Sequence, residues 1–144
     1  MDFFSAIEVS ASGLATQRTR MNVASSNLAN VNSTGVDGEG YKRRDVVVRS
    51  QIVDGSIAGH RAGGFGAAVR SASVVEIVED ESPAQLLYDP GHPDADENGY
   101  VSMPNISAVE EMVDMITASR AYEAGITAIG TAVNMAERAL GIGR

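Results

Sequence analysis

The four prolines, Pro83, Pro90, Pro93 and Pro104, all fall within one short interval, and both ends of the chain are free of them. Proline removes a backbone donor and breaks helix interiors, so only the ends can hold long helices. The apolar pattern uses that freedom. Ile7, Leu14, Met21 and Leu28 recur every seven residues, and Phe3, Phe4, Ala11, Ala24 and Val31 widen the row into a stripe. This spacing predicts one amphipathic helix over 3–31. Asp2 and Glu8 lie toward its start, and Arg18 and Arg20 lie further along, as the helix dipole favours.

The other end repeats the pattern. Met112, Ser119, Ile126, Val133 and Leu140 share one heptad row, and Met115, Tyr122, Ile129 and Ala136 share the row three residues along. Val109 and Ile116 broaden the stripe at its start. Glu110, Glu111 and Asp114 come early, Arg138 and Arg144 late, so a helix is predicted over 105–140 with Asn105 as its N-cap.

Between the helices, "DVVVRSQIV" (45–53) and "AAVRSASVVEIVE" (67–79) are rich in β-branched residues and bounded by glycines at 55, 59, 63, 64 and 66. A turn-rich segment, "SPAQLLYDPGHPDADENGYVSMP", leads back to the second helix. The fold class expected is α+β. Residues 1–35 and 105–144 form a discontinuous, coiled-coil-like helical core, and 36–104 form a small inserted β-rich domain.

Two helices cannot cover both stripes, and the middle is small and polar. The stripe residues Ile7, Leu14, Met21, Leu28, Met112, Met115, Tyr122, Ile126, Ile129, Val133 and Leu140 are therefore expected to be buried against other subunits. With no Trp, three Phe and four Tyr, the packing is expected to be aliphatic, helix on helix.

Little in the chain carries chemistry. The net charge of −8 disfavours nucleic acid, because phosphate binding depends on Lys and Arg. Eight acids between Glu76 and Glu97, with no base among them, read as a solvated face; the basic cluster Lys42-Arg43-Arg44 is a candidate to meet that run on an adjacent copy. The absence of cysteine removes disulfides, thiol catalysis and thiolate metal sites. His60 and His92 sit in loops without a second ligand at helical spacing, and no G-x-S-x-G elbow or P-loop is present. No enzyme, cofactor, metal or small-molecule substrate is expected. "DADENGYVSMPN" (94–105) opens like a calcium loop, with Asp94, Asp96 and Asn98 at positions 1, 3 and 5 and Gly99 at 6. Position 12 is Asn105 where a tight site has glutamate, so a carboxylate-lined turn is the better reading. The alternative to an assembling subunit is a soluble binding module regulated by calcium through that turn. The start "MDFFSAIEVSASG" lacks a basic n-region and an unbroken apolar stretch, so synthesis in the cytoplasm without a Sec-type signal is expected.

One segment is specific. "SSNLANVNSTG…GYKRR" (25–44) resembles the asparagine-rich signature of bacterial flagellar rod and hook proteins, matching it at Asn27, Leu28, Ala29, Asn30, Thr34, Gly35, Tyr41 and Lys42. The five residues "VDGEG" that separate Gly35 from Tyr41 are similar to the longer loop of the FlgC, or proximal-rod, branch. "LLYDPGHPDADENGYVSMPNI" (86–106) and "VEEMVDMITASRAYEAGITA" (109–128) resemble the same branch, with Gly125 standing where that family usually has Asn. The resemblance implies an axial structural protein of the basal body whose terminal helices form an inner coiled-coil core. It also implies helical assembly with itself and other rod proteins across the periplasm, contact with adjoining basal-body and export-gate components, transmission of torque, and export by the flagellar type III apparatus. Within such a tube, Asn27 and Asn30, one turn apart on one face, are expected to fix register between subunits, with local helix capping as the alternative.

Overall fold

The structure, a computed structural model, describes residues 3–35, 40–52 and 70–142. The glycine-rich loop with His60, residues 36–39 of the insertion, and the ends of the two strand predictions (Val53 and 67–69) lie outside the described residues.

The first helix, α1 (Phe3–Ala29), ends two residues before the apolar stripe does, and Asn30 is the reason. Its Nδ2 donates to Ser26 O at 2.8 Å while its Oδ1 accepts from Ser33 Oγ at 3.0 Å. The side chain thus satisfies a last-turn carbonyl and turns the chain out of the helix.

Two antiparallel hairpins follow, consistent with the α+β class. Strands β1 (Arg44–Ile52) and β2 (Arg70–Glu79) pair with a bulge opposite Val47/Val48, where Val75 is the extra residue. Strands β3 (Gln85–Tyr88) and β4 (Tyr100–Met103) form a second, separate pair inside the turn-rich segment, where no strand was singled out. Four residues between turn signals are too few to show a period. The pair is fixed instead by edge-to-face contact of Tyr88 with Tyr100, 5.2 Å between ring centres, and by Gly99, whose φ of +82° closes the connecting loop. A side chain there would meet Pro90 and Tyr88 at 3.1 Å, so glycine is required.

The second helix, α2 (Ala108–Ile142), begins three residues later than expected. Asn105 is not its cap: it is exposed, and its side chain accepts from Gln85 Nε2 at 3.0 Å. Ser107 takes the position, its Oγ accepting from Glu110 N and its carbonyl from Glu111 N. Ser107 with Glu110 is the S-x-x-E pattern of a helix start, legible in the sequence and outweighed there by the nearer proline.

The helices pair antiparallel, since Leu14 lies against Gly125 while Asn27 bonds Glu111. The row of α2 that reaches deepest is not part of its large apolar stripe. It is the row Glu111, Ala118, Gly125 and Ala132, spaced by seven, with Glu111 and Ala118 buried. On α1 the buried residues are likewise small or polar: Thr16, Ala24 and Asn27. A Cβ on Gly125 would stand 2.7 Å from Leu14 Cδ2, so the helices meet more closely than alanine allows without moving Leu14. Among the described residues the buried apolar core consists of Ala24, Val101, Ile106 and Ala118. No helix is long and apolar enough to cross a membrane.

Gly130, in contrast, has nothing within 4 Å of where a Cβ would stand. Gly130→Ala is expected to stabilise the isolated chain by up to about 1 kcal/mol through helix propensity. Gly125→Ala gains the same propensity but must displace the end of Leu14, so its net effect should be distinctly smaller. Comparing the two melting midpoints checks the closeness of the helix pair.

Candidate subunit interface

The asparagine of the signature sits at the centre of a buried polar node. Asn27 is 1% exposed, and all four of its hydrogen-bonding positions are filled within the chain. Its Nδ2 donates to Arg44 O at 2.8 Å and to Glu111 Oε2 at 3.0 Å. Its Oδ1 accepts from Tyr41 OH at 2.9 Å and from Arg44 N at 3.0 Å. The amide therefore pairs with both backbone groups of Arg44, at the first residue of β1, and reaches across to α2. Glu111, 2% exposed, accepts from Arg43 Nε with its other oxygen at 2.7 Å. Burial acts most strongly on the Arg43 guanidinium and opposes its charge. The hydrogen bond and the negative charge of Glu111, with smaller contributions from Asp45 and Asp80, outweigh burial and hold its pKa above the ordinary value. One residue on α1, the 41–44 segment and the first turns of α2 are thus tied at a single point.

Groups that the sequence offered for contacts between copies already have partners within the chain. Asn27 and Asn30 spend their amides inside their own chain, Asn27 on the node and Asn30 on the end of α1, because backbone and carboxylate partners of the same chain lie within reach. The basic cluster is likewise engaged internally. Arg43 pairs with Glu111, and Arg44 pairs with Glu79 across the hairpin at 3.2 Å. The second pair is about half exposed and contributes at most about 1 kcal/mol. Lys42 is exposed.

The rest of the signature ties α1 to the second hairpin. Thr34 Oγ1 donates to Asp94 Oδ2 at 2.6 Å, and Gly35 bridges to Ser102 on β4. The carboxylates of the calcium-like stretch are turned onto the chain itself. Asp94 receives Thr34, and Asp96 Oδ1 receives the amides of Asn98 and Tyr100, each at 2.8 Å. The Tyr100 amide contributes most to holding the Asp96 carboxyl below its ordinary pKa; slight burial opposes it and the Asn98 amide adds to it. Among the described residues no three His, Asp or Glu side chains gather as a metal site would need.

The predicted interface residues divide by helix face. Ile7, Leu14, Met21 and Leu28 on α1 are half-buried, as are Met115, Tyr122, Ile129 and Val133 on α2. Met112 (41% exposed), Ile126 (50%) and Leu140 (76%) face outward, and Val109, Val113 and Ile116 join them at helical spacing. Beside this stripe runs an open apolar groove of about 630 Å³ between the helices, lined by Met21, Met115, Ile116 and Tyr122 among others. The fully buried positions of the helix pair are small or polar, the large residues of the Leu14 and Met115 rows are half-buried, and the Met112 row faces outward. The hydrophobic pattern alone located the outer row; the inner row was hidden because its members are Glu, Ala and Gly.

A family model described as "Flagella basal body rod protein" matches residues 7–35, and one described as "Flagellar basal body rod FlgEFG protein C-terminal" matches 97–142. The chain is 43% identical to the flagellar basal-body rod protein FlgC of Borreliella burgdorferi, over 99% of this chain and 98% of that one. It is 42% identical to that of Bacillus subtilis and 38% identical to that of Salmonella typhimurium, in both cases over the whole of both chains.

Proposed function

From the premise that this chain belongs to the FlgC family of flagellar basal-body rod proteins, and is a structural rod subunit rather than an enzyme, we propose how it is built into the rod. The two helices form the axial core of a helical tube made with other rod proteins and further copies of this chain, packed in coiled-coil fashion. The hairpins of the inserted segment 36–104 lie on the outside of that core, tied to the helices through Ser12, Asn27 and Glu111. In this position the subunit is part of a rod that spans the periplasm and transmits torque from rotor to hook, adjoining the export gate at its base. Export through the flagellar type III apparatus, without a cleaved signal, completes the reading on the strength of family membership.

The observation that carries the assembly is the exposed apolar row on α2. A monomer rarely leaves a row such as Val109, Met112, Val113 and Ile116 between 41% and 67% exposed along one helix. Neighbouring helices seated on that row and on the groove beside it would bury it. Asn27 is removed from the proposed contact set by its internal bonds, and the outer residues Met112, Ile126 and Leu140 lead it.

A photo-reactive residue at Ile126 tests this in living cells. Adducts to other rod proteins or to further copies are expected. Purely intramolecular adducts would mean that the chain covers its own stripe, and the axial packing would have to be abandoned.

A further inference from the structure

Each hairpin has two outer edges, and the structure treats them differently. The outer edge of β2 lies on α1, where Ala72 N donates to Ser12 Oγ at 3.1 Å, and that of β4 is met by Gly35 at Ser102. Beyond Arg44, whose two outward backbone groups are taken by Asn27 of α1, the outer edge of β1 makes no hydrogen bond to another segment among the described residues, and neither does that of β3. Asp89 N donates to Gly99 O, which sets the alternation of the second hairpin: the backbone groups of Leu86 and Tyr88 point outward. On β1 the outward residues are those opposite Ile77, Val74 and Ala72, namely Val46, Val48 and Ser50. The Val46 amide is occupied by the Asp45 carboxylate at 2.7 Å, which leaves Val48 and Ser50.

The two free edges are chemically complementary. Strand β3 is apolar on both faces yet exposed, with Leu86 at 70%, Leu87 at 53% and Tyr88 at 64%, a pattern suited to a strand covered on both sides. Asp80, Glu81 and Asp89 flank it, and no Lys or Arg occurs between Arg70 and Arg120. Strand β1 carries Arg49 between its two open positions, exposed and in no ion pair among the described residues.

We propose that the free edge of β3 docks the free edge of β1 from a second copy of this chain, extending the sheet from subunit to subunit with Arg49 set against the acids around β3. Joining two different edges makes the contact heterologous, so it propagates rather than closing a dimer, as a helical rod requires. The inference rests on the rod reading and names one contact within it.

The chain has no cysteine, so introduced thiols are unique. Cells making Leu86→Cys, Ser50→Cys or the double variant are treated with a bismaleimide short enough to join only neighbouring strands, and their basal bodies are isolated. The double variant is expected to give a ladder of dimers, trimers and higher species, and either single variant none. Adding Leu86→Pro in place of Leu86→Cys, with Tyr88→Cys as the reporter, removes an outward donor without touching the β3–β4 ladder and should lower the yield at least tenfold. Dimers from Leu86→Cys alone would mean that β3 pairs with itself, and the proposal would fail. Basal bodies containing the double variant but no cross-link would overturn the edge pairing and leave the rod reading standing. Swimming cells whose basal bodies lack the chain would overturn both.

Discussion

Glu111→Gln is expected to lower the unfolding free energy of the isolated chain by about 3–5 kcal/mol, the usual consequence of removing one member of a buried ion pair. The carboxylate accepts on both oxygens, from Arg43 Nε and Asn27 Nδ2, and it is 2% exposed. A carboxamide has one accepting end, so its NH2 must face one of those two donors. Either way a buried donor loses its partner, and the Arg43 guanidinium, 23% exposed, loses its counter-charge. Urea unfolding gives the size of the loss. Combining Glu111→Gln with Arg43→Met should cost clearly less than the sum of the single changes, because the uncompensated charge is then gone. Glu79→Gln, which breaks the half-exposed pair with Arg44, should cost less than about 1 kcal/mol and serves as the comparison. A large effect at both glutamates, or at neither, would show that the node does not hold the three segments together. Small domains are stable by about 5–15 kcal/mol, so the change should also reduce the amount of chain that reaches the rod.

The two helices were legible because proline is confined to one interval and the apolar period is strong over four or more turns. The β1–β2 strands were legible from their β-branched runs. The β3–β4 hairpin was not, because strands of four residues between turns carry no measurable period. Helix ends failed for local reasons, Asn30 turning the chain early and Ser107 rather than Asn105 capping α2. The asparagines of the signature were recognised as important, but periodicity cannot say whether an amide at a stripe's end faces its own chain or another. That depends on Glu111 and Arg44, 84 and 17 residues away from Asn27. Glu111 itself passed as an ordinary first-turn acid. Only the spacing Glu111–Ala118–Gly125–Ala132 marks the inner face, and hydrophobicity does not register a row made of small residues and one charge. The exposed apolar row of α2 was legible for the complementary reason: a stripe too large for its own chain shows in sequence as a surplus.

Ile116→Glu should separate folding from assembly. Ile116 is 51% exposed and lies on the row with Met112 and Val113, beside the interhelical groove. Glutamate is a good helix former, and a substitution at an exposed helical site usually changes stability by no more than about 0.5 kcal/mol, so the melting midpoint of the isolated chain should barely move. On the proposed packing the same position is covered in the assembled rod. There the variant forfeits about 1.5–3 kcal/mol for an aliphatic side chain no longer buried, and it adds the larger cost of an unpaired carboxylate out of water. Each copy bears that cost, so the expected result is a folded chain that no longer enters basal bodies and cells that do not swim. Ile116→Leu, which keeps the apolar surface, should restore motility. A variant that melts normally and supports full swimming would mean that the outer stripe stays wet in the rod, and the helix contacts between subunits would then have to lie on the half-buried row of Met115, Tyr122 and Ile129.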